Sequence, residues 1–136
     1  HPYGKDFTYD EMMMTTIGDA GKAIAEGIAT ALKSANPFGE GPQPKPGEGP
    51  SAEQRENGFY DILFIGEYPD GTSVRASVNG DRDPGYGSTS KMIAESALTL
   101  LVHDTPGGIV TPGAIMAEPL IRRLEAHAGL IFKIES

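Results

Sequence analysis

The 136-residue sequence predicts a small α+β domain, a mainly antiparallel sheet with helices packed on one face, and three observations lead there. Two apolar runs flank Pro69-Asp70-Gly71, the pattern of a β-hairpin closed by a tight turn. After the hairpin, apolar residues recur at three- and four-residue spacing over two stretches, the period of helices. A last alternating run, Leu130-Ile131-Phe132-Lys133-Ile134-Glu135, reads as a further strand. Helices that follow a hairpin, instead of alternating with single strands, form a separate layer on the sheet.

The length suits one domain with a modest core. Net charge is −8, and the 11 lysines and arginines are scattered. The basic footprint that neutralises nucleic-acid phosphates is therefore missing, and anionic membranes are disfavoured for the same reason. The absence of cysteine excludes disulfides, thiolate metal sites and a cysteine nucleophile, and fits a reducing cytoplasm, the expected location. No window reaches the roughly 18 consecutive apolar residues of a membrane helix. The sequence opens His1-Pro2-Tyr3-Gly4 with no initiator Met, so a cut from a longer polypeptide is expected.

Three segments are expected: an N-terminal helix segment (1–36), a Pro/Gly-rich linker with a short helix (37–57), and an α+β domain (58–136). Thr8-Tyr9-Asp10-Glu11 has the spacing of a capping box and predicts a helix over 9–33. Met13, Ile17, Ala20, Ile24, Ile28 and Leu32 would form its apolar face. Gly18, Gly21 and Gly27 each lower helix preference by roughly 1 kcal/mol relative to Ala, so the helix needs a packing partner and has a weak point near Gly18. Its small residues would admit a close neighbour, either a second helix in a dimer or an interdomain seam. The prolines and glycines of 36–50 predict an extended, partly polyproline II connector. Ser51 and Gln54 then start a short helical turn that ends near Asn57-Gly58.

Residues 59–68 are apolar on both alternating faces, which predicts a strand covered on both sides. The stretch 72–78 alternates, with Val74, Ala76 and Val78 inward and Ser73, Arg75 and Ser77 outward. A helix over 88–103 is expected to bury Ile93, Ala97, Leu98, Leu100 and Leu101, with Thr105-Pro106-Gly107-Gly108 stopping it. Thr111-Pro112 reads as a cap with Pro at the first helical position. The helix that follows, to about residue 128, would bury Met116, Leu120, Ile121 and Leu124 and end at Gly129. Pro119 inside it predicts a kink or a late start, and Glu118 with Arg122 forms a favourable i, i+4 pair.

The chemistry-bearing stretch is the junction Asn79-Gly80-Asp81-Arg82-Asp83-Pro84-Gly85-Tyr86-Gly87-Ser88-Thr89-Ser90-Lys91, where strand pattern gives way to helix pattern. Backbone N–H groups at a helix start suit a carboxylate or phosphate. Arg82 could add a bidentate contact and Tyr86 a hydroxyl or a ring face. The candidate substrate- or anion-binding set is Arg82, Asp83, Gly85, Tyr86, Gly87, Ser88, Thr89 and Lys91. The structural alternative is that the glycines only turn the chain and Ser88 or Thr89 caps the helix. A nucleotide fingerprint fails: Gly85-x-Gly87-x-x-Ser90 lacks the third glycine, and no Gly-Lys-Ser/Thr is present. His103-Asp104 with Ser90 or Ser96 can be arranged as a nucleophile set, yet nothing resembles a nucleophile elbow. His1, His103 and His127 are too dispersed to suggest a metal site. Glu95 reads either as a partly buried acid or as a solvent-facing neighbour of Lys91. No catalytic residue is assigned.

Three motifs, in order, carry a family resemblance: Pro44-Lys45-Pro46-Gly47-Glu48-Gly49-Pro50-Ser51; Asp83-Pro84-Gly85-Tyr86-Gly87 with Ser90-Lys91-Met92-x-x-Glu95-Ser96-Ala97; and Gly108-Ile109-Val110-Thr111-Pro112. Together they resemble the C-terminal part of saccharopine dehydrogenase-like oxidoreductases, including the group called trans-acting enoyl reductases, over about residues 44–135. The resemblance implies a longer chain in which an N-terminal Rossmann domain binds NAD(P). A second α+β domain would complete the substrate cleft and often the dimer contact. It implies hydride transfer to an imine or activated double bond, with the cofactor bound by the full-length protein and not by this fragment. The missing Rossmann domain, a small-molecule substrate and a second copy are the implied partners. Asp83, Gly85, Tyr86, Thr89, Lys91, Met92 and Glu95 are the family-like positions. The residues also leave open a stand-alone dimeric interaction module or a small-anion-binding module. A domain separated from its partner is expected to expose apolar surface.

Overall fold

The computed structural model describes residues 6–33, 45 and 47–135, without the side chains of residues 31 and 32. The chain divides into two compact units, His1–Gly47 and Glu48–Ser136. Most of the connector expected over 36–50 lies outside the described residues.

In the first unit one helix, α1, spans Asp19–Lys33. It starts ten residues later than the capping-box spacing predicts. Glu11 engages its immediate neighbours instead: the Tyr9 hydroxyl donates to the Glu11 carboxylate at 2.9 Å, and the Glu11 N–H to the Asp10 carboxylate at 2.9 Å. The β-branched run Thr15-Thr16-Ile17 disfavours helix, and Gly18 takes a left-handed φ of +87°, which ends the preceding extended segment. Met13 and Ile17 therefore leave the predicted helical face. The close approach that small residues permit is used by this segment itself, since the Thr16 carbonyl fills the space a Cβ on Gly21 would need. Met13 and Thr15 line a shallow cleft of about 240 Å³ with Ala25, Ile28 and Ala29.

The second unit follows the predicted order. Helix α2 (Ala52–Asn57) is held by the expected capping box, with the Gln54 N–H on Ser51 Oγ at 3.1 Å and the Ser51 N–H on Gln54 Oε1 at 2.9 Å. Strands β1 (Tyr60–Glu67) and β2 (Ser73–Gly80) form the antiparallel hairpin. Its turn is fixed by Asp70, whose carboxylate accepts from the Thr72 hydroxyl and N–H at 2.6 and 2.9 Å. Helices α3 (Gly87–Val102) and α4 (Pro112–Arg123) follow, then a π-helical turn (Leu124–Ala128) and β3 (Leu130–Glu135), which pairs antiparallel with β2. The sheet order is β1-β2-β3, an α+β arrangement as the pattern predicts.

The kink in α4 falls at Met116 (φ −146°, ψ 33°). Pro119 has no N–H for the carbonyl one turn back, at Ile115, and its ring crowds that carbonyl, so the bend appears on the N-terminal side of the proline. Gly129 ends the π-helical turn in left-handed conformation, as expected.

The core is compact: Met116, Leu120, Leu124, Ala128 and Leu130 are buried, with Val78, Met92, Ile115 and Phe132 packed against them. Cross-strand partners share a face, so the pairs Ile62–Val78 and Val78–Phe132 identify the helix-covered face of the sheet. Only its β2–β3 side is well covered.

Three expectations fail here. On β2, Ser77, expected outward, is buried with its hydroxyl on the Glu135 carboxylate, and Val74, expected inward, is exposed near the hairpin turn. Strand β1 is exposed on both faces, with Ile62, Leu63, Phe64 and Ile65 retaining 41–56% of their surface, because it is the sheet's edge and the helices pack over β2 and β3. Helix α3 turns the other way from its apolar pattern: Ile93, Ala97, Leu98, Leu100 and Leu101 are exposed. The inward side carries Ser88, Met92, Glu95, Ser96 and Thr99. That polar face is tolerated because its hydroxyls are satisfied. Ser96 donates to the Met92 carbonyl and Thr99 to the Glu95 carbonyl, at 2.8 and 2.7 Å.

Candidate functional site

The junction between β2 and α3 is a corner built by a register coincidence. Tyr60 faces Gly80 across the hairpin, and its ring lies where a Cβ on Gly80 would be, about 2.2 Å from the ring carbons. Lying flat over that glycine, Tyr60 reaches the Ser88 Oγ at 2.8 Å, and Ser88 is fully buried. Sequence reasoning did not select Tyr60. The signal was present, since the Pro69-Asp70-Gly71 turn fixes the register and sets an aromatic residue opposite a glycine.

Asp83 organises the rest. Its carboxylate accepts the backbone N–H groups of Gly85, Tyr86 and Gly87 at 3.1, 2.7 and 2.9 Å. These are donors at the start of α3 that the sequence offered to an external anion, and a carboxylate from the chain itself holds them. The hydrogen bond from Gly87, then that from Tyr86, pulls the Asp83 pKa below the ordinary carboxylate value, with Gly85 and the Arg55 charge adding to the effect. The capping role weighed for Ser88 or Thr89 thus falls to Asp83. Thr89 instead donates to the Pro84 carbonyl at 2.6 Å and Ser90 to the Gly87 carbonyl at 3.2 Å.

Helix α2 closes the corner from the other side. The Asp83 N–H donates to the Arg55 carbonyl at 3.2 Å, and the Arg55 guanidinium reaches the Pro50 carbonyl at 2.5 Å. Gly58 lies so close that an added Cβ would sit 2.5 Å from the Asp83 Cα and N. The Tyr86 ring packs over Gly49. The segment around Pro50-Ser51 and the segment Asp83–Gly87, far apart in sequence, are therefore one structural feature.

Of the predicted set, Asp83, Gly85, Tyr86, Gly87, Ser88 and Thr89 are brought together in this network. Arg82 adjoins it, half-buried, with its Nε buried and without a hydrogen-bond partner among the described residues. Lys91 lies one turn along α3, half-buried. Glu95 is not its neighbour in charge: the Glu95 carboxylate pairs with Arg123 at 2.7 Å, its side chain only 12% exposed, and ties α3 to the end of α4. Arg123 was not singled out from sequence, because the partner lies 28 residues away with no local spacing to reveal it. Ser90 and Ser96, weighed as nucleophiles, spend their hydroxyls on helix carbonyls.

A second feature lies at the other end of α3. Leu100, Thr105, Pro106, Val110, Pro112 and Met116 line a shallow, mostly apolar cleft of about 240 Å³ that includes part of the Gly108-Ile109-Val110-Thr111-Pro112 motif. Thirteen residues of helix separate Gly87 from Leu100, roughly 20 Å of axial rise, so cleft and corner are distinct places. Among the described residues no helix is long and apolar enough to cross a membrane.

Comparison with known proteins places this arrangement among reductase-named relatives. A protein of Mycobacterium tuberculosis, provisionally named a trans-acting enoyl reductase, is 31% identical over 145 residues, covering 91% of this chain and 33% of its own length. The trans-acting enoyl reductase of Mycobacterium ulcerans is 32% identical over 140 residues, covering 90% of this chain and 33% of that protein. That of Mycobacterium bovis is 30% identical over 145 residues, covering 95% and 34%. The chain thus spans about a third of the length of the curated relatives it matches. No family model matches the chain, and no solved structure matches it.

Proposed function

We propose that this chain is the substrate-side C-terminal domain of a cytoplasmic, NAD(P)-dependent oxidoreductase of the saccharopine dehydrogenase-like, trans-acting enoyl reductase type, and that it is inactive alone. The observation that carries the reading is the partial coverage: reductase-named relatives match nearly the whole chain, while the chain accounts for only about a third of them. The outward apolar stripe of α3 supports it. Ile93, Leu100 and Leu101 are 70, 48 and 79% exposed at helical spacing, a surface suited to a neighbouring domain.

The β2–α3 corner does not fit the pyrophosphate of a dinucleotide. A pyrophosphate at a helix start needs free backbone N–H groups and positive potential, whereas Gly85, Tyr86 and Gly87 are held by the Asp83 carboxylate. On this reading the nucleotide site belongs to sequence outside this chain, and the corner's own role is to present polar groups to the substrate. Asp83 fixes the loop, Tyr86 stands 59% exposed on it, and the half-buried Arg82 side chain lies beside it. A neutral acceptor such as a carbonyl or thioester oxygen suits this set better than a second anion beside Asp83.

Fluorescence titration of the 136-residue chain with NADPH should show no saturable binding; tight saturation would overturn the reading. Grafting this chain in place of the matching third of the Mycobacterium ulcerans relative should retain that protein's enoyl reductase activity. Arg82→Ala in that chimera should lower kcat/KM by about tenfold or more. An unchanged value would remove the corner from the substrate site.

A further inference from the structure

Asparagine is followed by glycine twice in the sequence, at Asn57-Gly58 and at Asn79-Gly80, and the fold treats the two pairs oppositely. A glycine in that place leaves its backbone nitrogen open to the asparagine side chain, because no Cβ stands in the way. On losing its proton, that nitrogen can attack the side-chain amide carbon. The N–Cγ bond forms and closes a succinimide ring, the Cγ–Nδ2 bond breaks, and the amide nitrogen leaves with the proton as ammonia. Water then opens the ring at either carbonyl. Opening at Cγ gives aspartate. Opening at the α-carbonyl gives isoaspartate, whose main chain runs through the former side chain and is longer by one methylene. The sequence of steps consumes water, releases ammonia and requires no other reactant.

Asn79 is shielded from this chemistry. It lies in β2, the central strand, opposite Asp61 on one side and Ile131 on the other, and Gly80 is buried under the Tyr60 ring. Bringing its Cγ onto the Gly80 nitrogen requires leaving the ladder. Asn57 is the exposed last residue of α2, and one backbone bond guards the attacking nitrogen, from the Gly58 N–H to the Gln54 carbonyl at 3.1 Å. The end of a six-residue helix frays, so this bond opens more readily than a strand paired on both sides.

We propose that Asn57 is a modification site, converted through the succinimide to aspartate and isoaspartate, and that the isoaspartyl form unlocks the corner between β2 and α3. The chain has no slack between Arg55 and Gly58. The Arg55 carbonyl holds the Asp83 N–H at 3.2 Å, and a Cβ on Gly58 would sit 2.5 Å from the Asp83 Cα and N. An added backbone atom between these two contacts cannot be absorbed while both persist. Asp83 then loses its fixed place, and the N–H groups of Gly85, Tyr86 and Gly87 that its carboxylate holds are released. The proposal rests on the corner's geometry and is independent of nucleotide or substrate binding.

Ageing the 136-residue chain in mildly alkaline buffer, then digesting it with trypsin for mass spectrometry, reads the two sites apart. Cleavage after Arg55, Arg75 and Arg82 places Asn57 and Asn79 in different peptides, and exchange of the amide NH2 for OH shifts the mass of each. In the folded chain Asn57 should convert about tenfold or more faster than Asn79, and in urea, where protection is lost, the two rates should converge. Amide hydrogen exchange at Gly85, Tyr86 and Gly87 should quicken in step with conversion at Asn57. It should stay at its starting level in Asn57→Gln aged in the same way, since the longer side chain closes the ring poorly. Fresh Asn57→Asp, which has the charge without the added methylene, should show a smaller rise than the aged wild type. Equal conversion of Asn57 and Asn79 in the folded chain, complete conversion with unchanged exchange at the corner, or an equal rise in fresh Asn57→Asp overturns the proposal.

Discussion

At the scale of single residues the corner depends on one carboxylate. Asp83 holds three N–H groups, and those bonds lower its pKa from the ordinary value of 3.8. A carboxyl group whose folded pKa lies below its unfolded one adds stability that is complete above about pH 4 and disappears as pH falls through the lower, folded value. Urea denaturation from pH 7 down should therefore show a larger acid loss in the wild type than in Asp83→Asn, since an amide does not titrate and Asp70, also lowered by its hydrogen bonds to Thr72, remains in both. Equal acid slopes in the two proteins would mean the carboxylate does not organise the loop. Gly58→Ala tests the same corner sterically: its Cβ would sit 2.5 Å from the Asp83 backbone, and neither partner is a flexible side-chain end. A loss of about 1–3 kcal/mol in unfolding free energy is expected. The sequence makes Asp83 a candidate because of its company of glycines, but it offers the N–H groups of the helix start to an external anion. The carboxylate four residues before Gly87 was itself the better-placed acceptor, and only the loop's path reveals that.

At the scale of elements, the local signals were legible and the long-range ones were not. The hairpin, the α2 capping box, the proline at the start of α4, the Gly129 stop and the span of β3 each depend on residues within a few positions of one another, and each stands as the spacing predicts. The start of α1 was misplaced because Thr8 and Glu11 fit a cap template while Gly18, ten residues on, decided the conformation. The orientation of α3 was misjudged because periodicity says which residues share a face, not whether this chain supplies the surface that covers it. What turns α3 is partly the Glu95–Arg123 pair, with side chains 12 and 30% exposed. Removing one partner should leave the other charge poorly solvated. Glu95→Gln and Arg123→Met are each expected to cost about 1–3 kcal/mol. The double variant should cost less than the sum of the two, because no orphaned charge remains. Strict additivity in this double-mutant cycle would show that the pair does not couple α3 to α4.

At the scale of the whole molecule, the residues that form the core are all drawn from one unit. Met116, Leu120, Leu124, Ala128 and Leu130, with Val78, Met92, Ile115 and Phe132 around them, fall within Glu48–Ser136. The hairpin and the capped α2 fall there as well. A segment with its own core and its own satisfied helix ends has what independent folding requires. The core is small, however, and two apolar surfaces, β1 and the outer side of α3, remain open. The fragment 48–136 should accordingly unfold in a single cooperative thermal transition, with a midpoint within a few degrees of the full chain. Its Leu124→Ala variant should lose about 2–5 kcal/mol, the cost of a cavity in a buried leucine site. A fragment that melts without cooperativity would show that the core of Glu48–Ser136 is insufficient alone. A cooperative fragment unaffected by Leu124→Ala would instead place the stabilising core somewhere other than the α4–β3 seam. The two failures are separable because the first concerns how much apolar surface one unit can bury, and the second concerns where it buries it.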